Sequence, residues 1–201
     1  AILAGGDAVL RSRTGSGKTL AYLLPALEKI DAESKKLQAL VIVPTAELAM
    51  QIAKEAESLA EGTKVRCLAL IGGASLQRQL DKLKTHPHLV VATPGRLLEI
   101  LTLKKIKLAD VEYCVLDEAD QTFMLGPGGA GAAGGGEAER ILSYLPAHAQ
   151  KVFCSATMAE AAASVVARRT MNAVWIEADD DGGRLPDTIA HSFVVCEERD
   201  R

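Results

Sequence analysis

The 201-residue sequence contains no run of about 18 apolar residues, so it encodes no candidate membrane-spanning helix. It contains no Cys-x-x-Cys pair. Cys67, Cys114, Cys154 and Cys196 stand 40 or more residues apart, which argues against zinc-ribbon and thioredoxin-like chemistry. Each sits in a short apolar run, so buried thiols in the strands of a reduced, cytoplasmic protein are expected. Residues 1–7 carry neither a basic leader nor a full signal-peptide core. No internal repeat is visible. A strong charge of one sign is also missing: 23 basic against 26 acidic side chains give a formal charge of −3. A general polyanion-coating protein is thereby excluded, and any nucleic-acid binding must come from a local patch. Residues 64–107 offer one, with nine basic side chains against Asp81 and Glu99.

What is present is 48% hydrophobic and alternates between two textures. Short apolar or β-branched runs recur at Asp7–Leu10, Ala39–Val43, Val65–Ile71, His88–Ala92, Glu112–Leu116, Lys151–Cys154 and Ala173–Ile176. Helical spacing lies between them at Lys18–Ile30, Glu47–Ala60, Ser75–Leu83, Gly95–Leu101 and Glu160–Arg169. Four- to seven-residue strands alternating with longer helices predict an α/β fold, with a mostly parallel sheet and helices on both faces. Ligands of such sheets bind at the carboxyl ends of the strands. Residues 126–136 are glycine, alanine and one proline, and read as a flexible surface loop. Residues 1–177 read as one domain and 178–188 as a linker. Residues 189–201 read as the start of a second domain.

The sharpest local signal is Ser12-Arg-Thr-Gly-Ser-Gly-Lys-Thr19, between a predicted strand and a predicted helix. Gly15 and Gly17 permit the tight turn that lets successive amides surround a phosphate. The helix start adds positive potential. Ser12, Arg13, Thr14 and Ser16 complete a cradle in which Lys18 reaches the β- and γ-phosphates and the Thr19 hydroxyl binds Mg²⁺. The apolar run Tyr113–Leu116 ends in Asp117-Glu-Ala-Asp120. Asp117 is placed to hold the metal, and Glu118 to polarise an attacking water as general base. The only asparagine is Asn172, which rules out the NKxD guanine-reading motif of GTPases. Neither an ABC-type signature nor kinase HRD and DFG motifs occur.

Taken together, the motifs resemble the first RecA-like domain of a DEAD-box RNA helicase, a P-loop NTPase, over essentially the whole chain. Thr14–Thr19 is similar to motif I and Pro44-Thr-Ala-Glu-Leu-Ala-Met-Gln51 to motif Ia. Gly72-Gly73 is similar to the double-glycine element and Thr93-Pro-Gly-Arg96 to motif Ib. Asp117–Asp120 is similar to motif II and Ser155-Ala-Thr157 to motif III. The resemblance implies ATP and Mg²⁺ as cofactors, with Lys18, Asp117 and Glu118 catalytic. It implies sequence-independent gripping of the RNA backbone by Pro44, Thr45, Gly72, Gly73, Thr93, Pro94, Gly95 and Arg96. Asp120, Ser155 and Thr157 are implied to couple nucleotide state to RNA opening. A second RecA-like domain with an arginine finger, required in cis, is implied to complete the hydrolytic site. The upstream adenine-reading element is not among these residues. A DNA-directed helicase, another P-loop ATPase, or a scaffold that lost turnover are alternatives with similar motifs. Leu70-Ile-Gly-Gly-Ala74, Lys84-Thr-His-Pro-His-Leu-Val-Val91 and Cys196-Glu-Glu-Arg-Asp200 resemble small bacterial DEAD-box proteins associated with ribosome assembly and growth in the cold. That suggests ribosomal RNA or pre-ribosomal particles as partners.

One departure generates a prediction. The family carries Arg where this chain has Ala46. Ala46→Arg is expected to tighten RNA binding by about 1.5–3 kcal/mol, the worth of one charge-assisted hydrogen bond. Fluorescence anisotropy with a labelled single-stranded RNA reads this directly, and an unchanged Kd would refute it.

Overall fold

A computed structural model describes residues 1–13, 15–126, 136–158 and 160–178. A single 3-10 turn at Ile2–Ala4 leads into β1 (Ala8–Arg11). The chain then runs α1 (Lys18–Lys29), β2 (Ala39–Ile42), α2 (Ala46–Leu59), β3 (Cys67–Leu70), α3 (Leu76–Leu83), β4 (Leu89–Ala92) and α4 (Pro94–Thr102). It continues with β5 (Tyr113–Leu116), α5 (Ala119–Met124), α6 (Glu137–Leu142), β6 (Gln150–Ser155), α7 (Glu160–Arg169) and β7 (Val174–Glu177). Among the described residues the strands form one sheet in the order β3-β4-β2-β5-β6-β1-β7. Every pairing is parallel.

Strand residues alternate between the two faces, so each face collects its own core. Ala8, Leu10, Ala39, Val41, Leu89, Val91, Tyr113, Val115, Val152 and Cys154 pack with Tyr22, Leu23 and Ala26 of α1 and with Ala49, Ile52 and Ala56 of α2. The intervening residues Val9, Leu40, Ile42, Val90, Cys114, Leu116 and Phe153 point the other way. There they meet Leu97, Leu98 and Leu101 of α4, Phe123 of α5, Ile141 of α6 and Val165 of α7. All four residues of β2, β4 and β5 are buried, which is why those strands are continuously apolar. Thr45 and Ser75 start α2 and α3 by accepting hydrogen bonds from the amides of Leu48 and Arg78. Pro94, whose missing N–H removes no helical bond, starts α4.

All seven predicted strands are present, shifted by two residues or fewer at most ends. Helix α6 was not foreseen. Its six residues are too few to show a helical period, and three of them, Ala138, Ile141 and Leu142, are buried. Residues 127–135 of the glycine-rich stretch, nearly all of the 178–188 linker, and residues 189–201 lie outside the described residues. Cys67, Cys114 and Cys154 are free thiols, the last two buried. Burial pushes Cys67 up to about 11 and Cys114 up to about 12, as expected of packing residues rather than nucleophiles. No described helix is long and apolar enough to cross a membrane.

Phe153 is fully buried and stacks on Phe123 with ring centroids 6.0 Å apart, joining β6 to α5. Phe153→Ala is expected to cost about 3–5 kcal/mol of unfolding free energy, measured by urea titration. A loss below about 1 kcal/mol would show that this contact does not anchor the acidic motif's helix.

Candidate nucleotide and RNA site

Because every strand runs the same way, every strand tip that carries a motif lies along one edge of the sheet. Read along that edge, the order is Gly72-Gly73 after β3, Thr93–Arg96 after β4, and Pro44-Thr45 after β2. Next come Asp117–Asp120 after β5, Ser155–Thr157 at β6, and the Ser12–Thr19 loop after β1. With strands about 4.8 Å apart, the loop and the acidic motif are about 10 Å apart with one strand between them.

In the loop, Gly15 and Gly17 adopt φ of 83° and 86°, and open space lies where a side chain would begin at either position. Gly17 caps α1, so Lys18 and Thr19 are its first two residues. The Lys18 ammonium donates to the carbonyls of Ser12 and Arg13, the latter at 2.6 Å. The Ser12 and Ser16 hydroxyls are hydrogen-bonded to each other. Thr14 lies outside the described residues.

Asp117 is 5% exposed. The Tyr22 hydroxyl donates to its Oδ2 at 2.8 Å and the Glu118 amide to its Oδ1 at 2.9 Å. The Thr19 side chain also acts on the Tyr22 hydroxyl, so one tyrosine stands beside both residues assigned to the metal. Burial raises the Asp117 carboxyl above its ordinary value against the opposing effects of these hydrogen bonds and of Lys18. Glu118 is also raised, by burial first and then by the charges of Asp117 and Asp120. Its backbone is left-handed at φ 45°, a conformation that costs a non-glycine residue about 1–3 kcal/mol and is commonest at functional sites.

The third acidic residue is engaged across the edge. The Thr157 hydroxyl donates to Asp120 Oδ2, with the Ser155 hydroxyl close by. Burial alone would raise Asp120, but the Thr157 and Ser155 hydroxyls and the amides of Gln121 and Asp120 outweigh it and hold the carboxyl low. Ser155 further donates to the Thr157 carbonyl, and its own carbonyl accepts from the Ser12 amide at 3.2 Å. Motif III is thus bonded on one side to motif II and on the other to the glycine loop.

On the far half of the edge, Thr45, Gly72, Gly73 and Gly95 are exposed and Pro44 and Thr93 partly so. Gly73 has φ 76°. Buried Gln79 clamps the double-glycine turn from beneath, accepting from the Ile71 amide and donating to the Ile71 carbonyl, both at 3.0 Å. Arg96, expected among the RNA-backbone contacts, is folded inward. Its side chain is 9% exposed, with Nη2 on the Ala74 carbonyl at 3.0 Å and Nε on Glu99 at 2.9 Å. Nη1 is buried without a partner. Arg96 therefore ties α4 to the loop after the double glycine.

The basic 64–107 segment does not form one surface. Lys64, Arg66, Lys84 and Lys104–Lys107 precede β3, β4 and β5, whereas Gly72-Gly73 and Thr93–Arg96 follow β3 and β4. In a parallel sheet those sets lie at opposite ends. Lys64 pairs with Glu33 and Lys84 with Asp81, and Arg66 donates to the His86 carbonyl.

Residues 1–165 match the DEAD/DEAH box helicase family model. The chain belongs to that family. It is 38% identical to the DEAD-box ATP-dependent RNA helicase CshC of Bacillus cereus, over 100% of this chain and 49% of that protein. It is 43% identical to the ATP-dependent RNA helicase CshA of Listeria monocytogenes, over 78% of this chain and 29% of that protein. Among solved structures, a DEAD box protein from the hyperthermophile Methanococcus jannaschii superposes with TM-score 0.79 and 31% identity, over 89% of this chain and 47% of the other. A hypothetical ATP-dependent RNA helicase from Sulfolobus tokodaii gives TM-score 0.77 and 32% identity, over 88% and 49%. The chain thus spans about half the length of CshC and of these two solved chains, and the RecA-like fold expectation holds.

Tyr22 and Gln79 are the site residues that sequence reasoning missed. Tyr22 lies four residues after Lys18 and so on the same face of α1, a polar-tipped aromatic on an otherwise apolar stripe.

The buried Asp117 yields a pH prediction. A carboxyl raised by folding favours the folded state at acid pH, and that contribution is lost as pH rises through its folded value. Asp117→Asn, which keeps the shape without the charge, is therefore expected to raise Tm at about pH 7, with the gain vanishing toward about pH 4. Thermal melts across that range check it. A Tm loss at neutral pH would mean that the hydrogen bonds outweigh the burial.

Proposed function

We propose that this chain is the ATP-Mg- and RNA-backbone-binding core of an ATP-dependent RNA helicase that couples hydrolysis to local duplex opening. The observation that carries this reading is the bonded path from the glycine loop through Ser155 and Thr157 to Asp120, beside a buried Asp117 that shares Tyr22 with Thr19.

The residues fit the cofactor. Left-handed Gly15 and Gly17 open the loop to close phosphate approach. No cluster of three metal-ligating side chains exists among the described residues. A Mg²⁺ site suits such a sparse set, because this ion is held by one or two carboxylates, phosphate oxygens and water. Bound ATP-Mg supplies the phosphoanhydride bond that is cleaved. In this reading, Lys18 exchanges the Ser12 and Arg13 carbonyls for phosphate oxygens, while Ser12, Arg13, Thr14 and Ser16 frame the loop. Thr19 and Asp117 hold the metal. Glu118, with its carboxyl raised above its ordinary value by burial, takes the proton of the attacking water. Asp120, Ser155 and Thr157 transmit the nucleotide state along the edge.

The RNA backbone lies over Pro44, Thr45, Gly72, Gly73 and Thr93–Gly95, where exposed turns and the start of α4 offer amides to phosphates. Such contacts read no bases, so binding is independent of sequence. Arg96 serves by holding that turn in shape. A second RecA-like domain in cis supplies the arginine finger, which contributes about 10³–10⁵-fold to hydrolysis in related systems. We extend the reading to a cytoplasmic protein acting on ribosomal RNA or pre-ribosomal particles, supported by the resemblance of 70–74 and 84–91 to bacterial ribosome-assembly helicases.

The test is ATP turnover by this chain with and without single-stranded RNA, using Lys18→Ala and Glu118→Gln as controls. Weak or absent turnover that becomes RNA-stimulated on adding the second domain is the expected result, and Glu118→Gln should lower it about 10²–10⁴-fold. RNA-stimulated turnover by the chain alone would overturn the need for that domain. Stimulation by DNA equal to that by RNA would overturn the RNA assignment.

A further inference from the structure

Three helices begin beside the proposed RNA path, and they are not treated alike. Thr45 and Ser75 cap α2 and α3 with their side chains. Thr93, the residue before α4, makes no side-chain cap. Its hydroxyl instead accepts from the Gly72 amide at 3.4 Å. The first-turn amides of a helix have no partner within it, so α4 presents uncapped donors and the positive end of its dipole.

What stands nearest is a carboxylate from another element. Where a Cβ on Gly95 would be, Glu137 Oε2 lies 3.4 Å away and Oε1 3.5 Å. The stem of the same side chain runs past Gly126, where an added Cβ would strike Glu137 Cγ at 2.3 Å. Glu137 therefore packs its carboxyl end against both glycines. The Glu137 amide bonds to the Leu125 carbonyl at 3.4 Å, fixing the root of the side chain beside Gly126. Among the described residues its carboxylate has neither an ion pair nor a hydrogen bond. The nearby acids are otherwise committed, Glu99 to Arg96 and Glu139 to Arg168 and Arg169. Arg96, in the first turn of α4, also has its Nη1 buried without a partner.

We propose that Glu137 is an affinity-setting residue for RNA: its carboxylate is a resident anion at the start of α4 that an incoming phosphate must displace or tolerate. This rests on the reading of Thr93–Gly95 as a phosphate seat. Glu137 lowers the affinity of that seat for any anion, so tight RNA binding depends on the remaining contacts along the edge being made as well.

The experiment compares the wild-type chain with Glu137→Gln, Glu137→Ala and Glu137→Asp, using a labelled oligouridine and a non-hydrolysable ATP analogue at low and high salt. Two unit charges about 5 Å apart in water repel by an amount worth about fourfold in affinity. Glu137→Gln and Glu137→Ala should tighten RNA binding by about that factor at low salt. Glu137→Asp, which keeps the charge, should stay near wild type, and the differences should shrink as salt screens them. Melting temperatures that match the wild type identify the effect as electrostatic. If the wild type binds RNA and neither neutral variant binds more tightly, the proposal fails while the RNA reading stands. If no form binds RNA under any condition, the phosphate-seat reading itself fails and takes the proposal with it.

Discussion

Parallel strand pairing is the constraint on which everything else in this molecule depends. Once all seven strands run the same way, every segment that follows a strand is delivered to one edge and every segment that precedes one to the other. The order β3-β4-β2-β5-β6-β1 then sets the sequence of chemistry along that edge, from double glycine to glycine loop. Chain order would put the glycine loop next to motif Ia. Sheet order puts motif III there instead, between the loop and the acidic motif, where Ser155 and Thr157 can bond to both.

The same constraint explains why a buried carboxylate is tolerated. Asp117 sits at the end of a strand covered on both faces, and its charge opposes folding at neutral pH. Tyr22 and the Glu118 amide offset part of that penalty and fix both carboxylate oxygens in direction. Glu118 immediately after it is held left-handed, turning the chain into α5 and leaving its side chain partly exposed. Stability is given up at two adjacent residues, the pattern expected where pre-organisation matters more than packing.

Charge is organised by the same logic. A segment that reads as one basic stretch in sequence is interrupted by β3, β4 and the approach to β5, which leaves Lys64, Arg66, Lys84 and Lys104–Lys107 at the end of the sheet opposite the motifs. The edge that carries the motifs is left with few free cations: Lys18 donates to loop carbonyls and Arg96 is folded beneath its turn. In the proposed function, anion recognition there would fall to backbone amides at glycine turns and helix starts, which ignore base identity.

The sequence by itself determined the seven strands, because continuous β-branched runs bounded by polar turns have few other uses. It also determined the glycine loop, the acidic strand end and the motif order, because each is contiguous and its residue types are fixed by its chemistry. The tertiary structure alone decided what depends on distant residues meeting. Tyr22 reaches Asp117 across 95 positions, and Thr157 reaches Asp120 across 37. The inward fold of Arg96, the short helix α6 and the placement of Glu137 against Gly95 were likewise illegible. A side chain's direction is set by packing that no local pattern records, and six residues are too few to show a period.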